Sequence, residues 1–141
     1  MLVSLKSTVR AQLRFPWSEG FVTGTALRAT LARLDKSHDD PRPVIVTAHH
    51  PLLGPEAQAH NPTIGGNRAF AALALAGVDA ILTGHVHHPF DETRTSGGAS
   101  IRMIGAGTLS TRLRHGAPPS YRVITVSKDD GISTELREIP R

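Results

Sequence analysis

Apolar residues alternate with polar ones from Leu2 to Ser7, which predicts a short strand, followed by a loop carrying Phe15-Pro16-Trp17 and Gly20. Further on, Leu27, Leu31 and Leu34 recur at i, i+4 and i+7, one face of a 3.6-residue period. They predict a helix from about Ala26 to Lys36, with Thr23 or Thr25 as N-cap and Asp39-Asp40-Pro41-Arg42-Pro43 as its stop. Val44-Ile45-Val46-Thr47-Ala48 is β-branched and nearly all apolar, as expected of a strand covered by helices on both faces, and it ends at His49-His50-Pro51. Leu52 to Ile64 has no period and reads as a loop long enough for function, closed by Gly65-Gly66. Asn67 to Ala76 predicts a second helix that turns Phe70 and Leu73 toward a sheet and stops at Gly77. A second buried strand, Asp79 to Thr83, runs into Gly84-His85-Val86-His87-His88. The middle of the chain is therefore a strand-helix-strand unit whose two parallel strands both finish in histidines.

The last fifty residues change character. Ile101–Ile104, Ser120–Val126 and Ile132–Ile139 read as antiparallel strands, the last two joined by a hairpin turn at Lys128-Asp129-Asp130-Gly131. Ile132, Thr134 and Leu136 share one face of the final strand, and Ser133, Glu135 and Arg137 the other. The fold class expected is α/β, a mixed sheet with flanking helices, forming one domain, or a piece of one, over residues 1–141.

Composition narrows the chemistry. Hydrophobic residues make up 39% of the 141 and, counted together with the 13 Gly, an ordinary globular share. The chain has no Cys, which excludes disulfide frameworks, zinc ribbons and a Cys nucleophile, so any metal must be held by His and carboxylates. No stretch approaches the apolar length of a membrane span, and a cytoplasmic protein is expected. The net charge is +4, yet the Arg residues are scattered and aromatics are only 4%, which argues against a nucleic-acid groove.

Ligands of parallel sheets sit at the carboxyl ends of strands, where both histidine clusters fall. His49 from one loop and His85 and His87 from the other can converge, and in an extended segment His85 and His87 project to the same side. Imidazole nitrogens suit Zn, Mn and Fe. One arrangement open to these residues is a single metal on three His with a vacant position. His38, His60 and His115 are read as surface residues, Trp17 as a packing anchor, and Gly105 and Gly107 as a bend in the sheet. Asp91, just past His88, could be recruited to a metal.

At these residues the sequence resembles the calcineurin-like metallophosphoesterases. The likeness is carried by His49-His50-Pro51, by Gly84-His85-Val86-His87, by Gly77 to Thr83, and by Gly105-Ala106-Gly107-Thr108-Leu109-Ser110. It covers nearly the whole chain but only the C-terminal half of that family's domain, half of its αββα sandwich. The resemblance implies two divalent metal ions (Mn, Fe or Zn), one bound by His49 and His85 and the other by His87, with His50 and His88 left out. It implies hydrolysis of a small-molecule phosphate ester clamped by the metal pair. It assigns no catalytic or substrate-binding residue. The family's N-terminal half supplies an Asp-x-His, a bridging Gly-Asp and a Gly-Asn-His-Asp, and none occurs here: Asp35 precedes His38 by three, Gly66-Asn67 is followed by Arg68, and Asp79 belongs to a strand. The expectation is an incomplete domain that takes the missing ligands from a complementary N-terminal half, or that self-associates.

Overall fold

A computed structural model of the chain describes residues 1–9, 19–36, 39–54, 63–109, 118–128 and 130–140. The expectations for Phe15-Pro16-Trp17, His38, His60 and His115, for most of the loop from Leu52 to Ile64, and for Ser110 and Asp129 fall outside those residues.

Along the chain the elements are β1 (Leu2–Ser4), β2 (Gly20–Phe21), α1 (Gly24–Asp35), β3 (Ile45–Ala48), β4 (Thr63–Ile64), α2 (Gly66–Leu75), β5 (Ala80–Thr83), β6 (Phe90–Ser96), β7 (Ala99–Gly105), β8 (Ser120–Ser127) and β9 (Gly131–Glu138). The fold is α/β, built on a five-stranded mixed sheet in the order β1-β3-β5-β7-β6. β1, β3, β5 and β7 run parallel, and β6 closes one edge antiparallel to β7.

The register explains the layers. Val3, Val46, Ile81 and Met103 are aligned across the four parallel strands and face one side. They are buried against Leu27 and Leu34 of α1 and Ala69, Phe70 and Leu73 of α2, which form the main core. Both helices therefore cover the same face, not opposite faces as the apolar strands suggested. On the other side Ile45, Ala80 and Ile104 are buried beneath the β8–β9 hairpin, through Ile124 and Ile132. A two-stranded layer can bury this second face because Ile124 and Ile132 point inward while Ser133, Glu135 and Arg137 stay exposed.

Helix ends follow their sequence signals. Thr23 caps α1, its Oγ1 accepting from Ala26 N at 3.1 Å. α2 ends in a Schellman turn: Gly77, at φ 73°, donates to Ala74 O, and Val78 donates to Leu73 O at 3.2 Å.

β6 was not foreseen. Its residues Phe-Asp-Glu-Thr-Arg-Thr-Ser have no apolar alternation, because an edge strand that faces solvent along much of its length needs none. The run Ile101–Ile104 was expected to be antiparallel; it is so toward β6 but parallel toward β5. Asp91 of β6 ties the two layers together. Its carboxylate accepts from Arg102 of β7 (2.7 and 3.0 Å), Thr134 of β9 (2.6 Å) and Arg122 of β8 (3.3 Å).

Candidate metal centre

Parallel pairing sets Ala48, the last residue of β3, beside Thr83, the last of β5. The two loops thus leave the sheet side by side at its carboxyl edge, and Gly84 N–H donates to His49 O at 3.1 Å, stitching them together. The second loop then turns sharply. Val86 N–H donates to Gly84 O at 2.8 Å across His85, which stands at φ 65°, and His87 follows at φ 58°. Among the described residues these two histidines are the non-glycine positions with positive φ. Left-handed backbone costs an L-residue about 1–2 kcal/mol, and strain of that kind clusters where a side chain must be aimed at a ligand.

The aim is visible in the rings. His49 Nε2 and His85 Nδ1 lie 3.2 Å apart. The ring of His50 packs 4.7 Å from that of His49 and 4.3 Å from that of His85, centroid to centroid. One nitrogen from each of His49, His50 and His85 falls within 4.8 Å of the others. Two imidazole nitrogens on a tetrahedral Zn, at about 2.0–2.1 Å each, are about 3.3 Å apart, so the His49–His85 spacing matches that of a shared cation. The donor set is all nitrogen and suits a transition metal of borderline softness. The three histidines could hold a metal ion.

His50 is the ligand candidate that the sequence left out. Strand alternation sends consecutive side chains to opposite sides, but His49 and His50 lie in the bend just past β3, where alternation has ended. His50 is buried, and its backbone N–H donates to Ser7 Oγ at 3.0 Å while its Nδ1 lies 3.1 Å from the same oxygen. Gly20 makes the space: a Cβ there would stand 2.5 Å from Thr63 Oγ1 and 2.7 Å from His50 Cβ. The adjacent pair in His-His-Pro was the available signal.

His87, by contrast, stands outside the three-imidazole group. The same-side rule for His85 and His87 requires extended backbone, and the positive φ at both positions removes that premise. Its Nδ1 is buried and has no hydrogen-bond partner. His88 is exposed.

No carboxylate joins the group among the described residues. Asp91 is not recruited to it; the carboxylate is committed to Arg102, Arg122 and Thr134. Burial alone would raise the Asp91 carboxyl, but the hydrogen bonds from Arg102 and Thr134 and the two Arg charges outweigh it and hold the group below the usual carboxylate range. Asp79 sits at the far end of the strand, accepting from Val44 N at 2.7 Å. Gly105 and Gly107 are set by packing, because a Cβ would strike the Phe90 ring at the first and Ser120 at the second. No helix among the described residues is long and apolar enough to cross a membrane. No family model and no curated protein matches the chain.

Proposed function

We propose that this chain carries the His-x-Pro and Gly-His-x-His half of a dinuclear metallophosphoesterase centre that hydrolyses a small-molecule phosphate ester. The observation that supports this reading is the convergence of the loops after β3 and β5, with His49 Nε2 and His85 Nδ1 at 3.2 Å and His85 and His87 of the second loop held at positive φ.

In this reading His49 and His85 would hold the first cation, and His87, whose Nδ1 has no hydrogen-bond partner, would hold the second. The γ-turn across His85 fixes the backbone from which the imidazole projects. When bound, the cation pair supplies charge for the phosphoryl oxygens and activates water for in-line displacement. Bringing two divalent cations together needs negative charge between them. In this reading the carboxylate would come from a complementary segment or from a second copy of the chain; Asp79 and Asp91, among the described residues, are engaged elsewhere.

The test is hydrolysis of bis-p-nitrophenyl phosphate by the purified chain with Mn, alongside His85→Ala and His87→Ala. Turnover lost in both variants supports the full reading. Mn-dependent binding of orthophosphate without turnover supports a half-centre awaiting its carboxylates. A folded, metal-loaded chain that neither turns over the ester nor binds orthophosphate overturns it. The second reading, a mononuclear three-His module, is favoured by one observation: the compact group is His49, His50 and His85, without His87. Metal content separates the two, at about two ions per active assembly against one per chain.

A further inference from the structure

We propose that His50 is a metal ligand through Nε2 and that Ser7 is its positioning residue, setting the tautomer from behind. This deepens the metal-binding part of the reading above and does not depend on the phosphoesterase part.

Three observations carry it. His50 is 7% exposed and Ser7 2%, so neither polar group is there to meet water. The rings of His49, His50 and His85 form a triangle with centroids 4.3–5.0 Å apart, and one nitrogen from each falls within 4.8 Å of the others. Ser7 Oγ meets His50 twice, at the backbone N–H (3.0 Å) and at Nδ1 (3.1 Å).

A hydroxyl oxygen has two lone pairs and can accept both contacts. With Nδ1–H donating to Ser7 Oγ, the proton is placed on Nδ1 and the lone pair on Nε2, as a ligating imidazole requires. Metal-bound histidines characteristically donate their second ring N–H to such an outer partner, which fixes both tautomer and ring orientation. The backbone bond from His50 N–H to the same oxygen fixes Ser7 relative to the loop, so the two contacts orient each other. Ser7 lies just beyond β1, where Leu5 N–H donates to Thr47 O at 2.8 Å, and its own carbonyl accepts from Phe21 N–H at 3.0 Å. Ser7 is thus held by the sheet and by β2, a rigid mount for an outer-sphere group.

The experiment uses the whole chain with Zn as probe. Long-range 15N–1H correlation spectra of the unmutated protein, recorded before and after adding Zn, report each histidine's tautomer and ligation directly. The expected result is a ligated Nε2 and a protonated Nδ1 at His50, together with ligation of His49 and His85. Ser7→Ala is expected to weaken Zn binding about 10–100-fold, the cost of losing an outer-sphere partner, with Ser7→Thr recovering most of it. An unligated His50 beside ligated His49 and His85 overturns the proposal, as does a His50 Nδ1 without its proton. A folded Ser7→Ala that binds Zn like the unmutated chain overturns the role of Ser7. If Zn binds as described while ester hydrolysis and orthophosphate binding are both absent, the phosphoesterase reading alone fails. If the unmutated chain binds no Zn, this proposal fails, and the phosphoesterase reading is decided by the Mn assay above.

Discussion

Replacing Asp91 by Ala removes the acceptor that joins β6 and β7 to the β8–β9 hairpin. The side chain of Asp91 is 22% exposed, that of Arg102 34% and that of Arg122 10%, so the cluster is neither a free surface pair nor a dry one. The more accessible Arg102 contact is worth about 0.5–1 kcal/mol, as for exposed pairs. Arg102 also keeps a bond to Ile132 O at 2.7 Å. Arg122 fares worse: its Nε is already without a partner, and loss of the carboxylate leaves its charge facing only Thr134 Oγ1 at 3.0 Å. That penalty, with the lost Thr134 bond, adds about 1–1.5 kcal/mol. The expected cost is roughly 2 kcal/mol, or about 4–8 °C in Tm for a chain of this size. Hydrogen exchange should show the loss first in β8 and β9, with β3 and β5 little changed. A double-mutant cycle with Thr134→Val should show strong coupling. The pH dependence has a definite sign. The folded carboxyl lies below its ordinary value, so the stabilisation is fully present above the ordinary carboxylate range and is lost as pH falls through the folded value. The gap between the two proteins should therefore be constant near neutrality and close in acid. An Asp91→Ala variant as stable as the unmutated chain, or a gap that widens in acid, would refute this assignment.

Other consequences are simpler to state. Leu73 is fully buried in the main core, and Leu73→Ala is expected to cost about 2–5 kcal/mol in urea unfolding. Thr23→Ala removes the cap on Ala26 N and should cost about 1 kcal/mol, visible in the same titration. Gly20→Ala drives a Cβ against Thr63 and His50 and should weaken Zn binding as well as lower Tm, whereas unchanged affinity would separate Gly20 from the site.

The elements that the sequence disclosed are those whose side chains meet a core on one face. Leu27 and Leu34 of α1, Phe70 and Leu73 of α2, and Ile81 of β5 are all buried where the 3.6- and 2-residue periods put them. The parallel strands ending in histidine were legible for the same reason, and with them the location of the candidate site. What escaped lacks a periodic signature. β6 presents Thr93 and Thr95 to solvent, ties Asp91 to the β8–β9 hairpin and packs by pairing with β7, so its residues are chosen by an edge position rather than by apolar burial. The placement of both helices on one face depends on which layer the distant β8–β9 hairpin covers, a non-local choice. Within the site the sequence grouped His49, His85 and His87, whereas the structure brings together His49, His50 and His85. Both differences arise from backbone turns, the bend after Ala48 and the positive φ at His85 and His87, which extended-chain alternation cannot represent.

Metal content after equilibrium dialysis against Zn or Mn, measured on the unmutated chain and on His85→Ala, tests the central claim most directly. The account predicts at least one tightly held ion per chain and its loss in the variant, with the variant still folded. An unmutated chain that emerges folded and free of metal, or a variant that retains the ion, would contradict it.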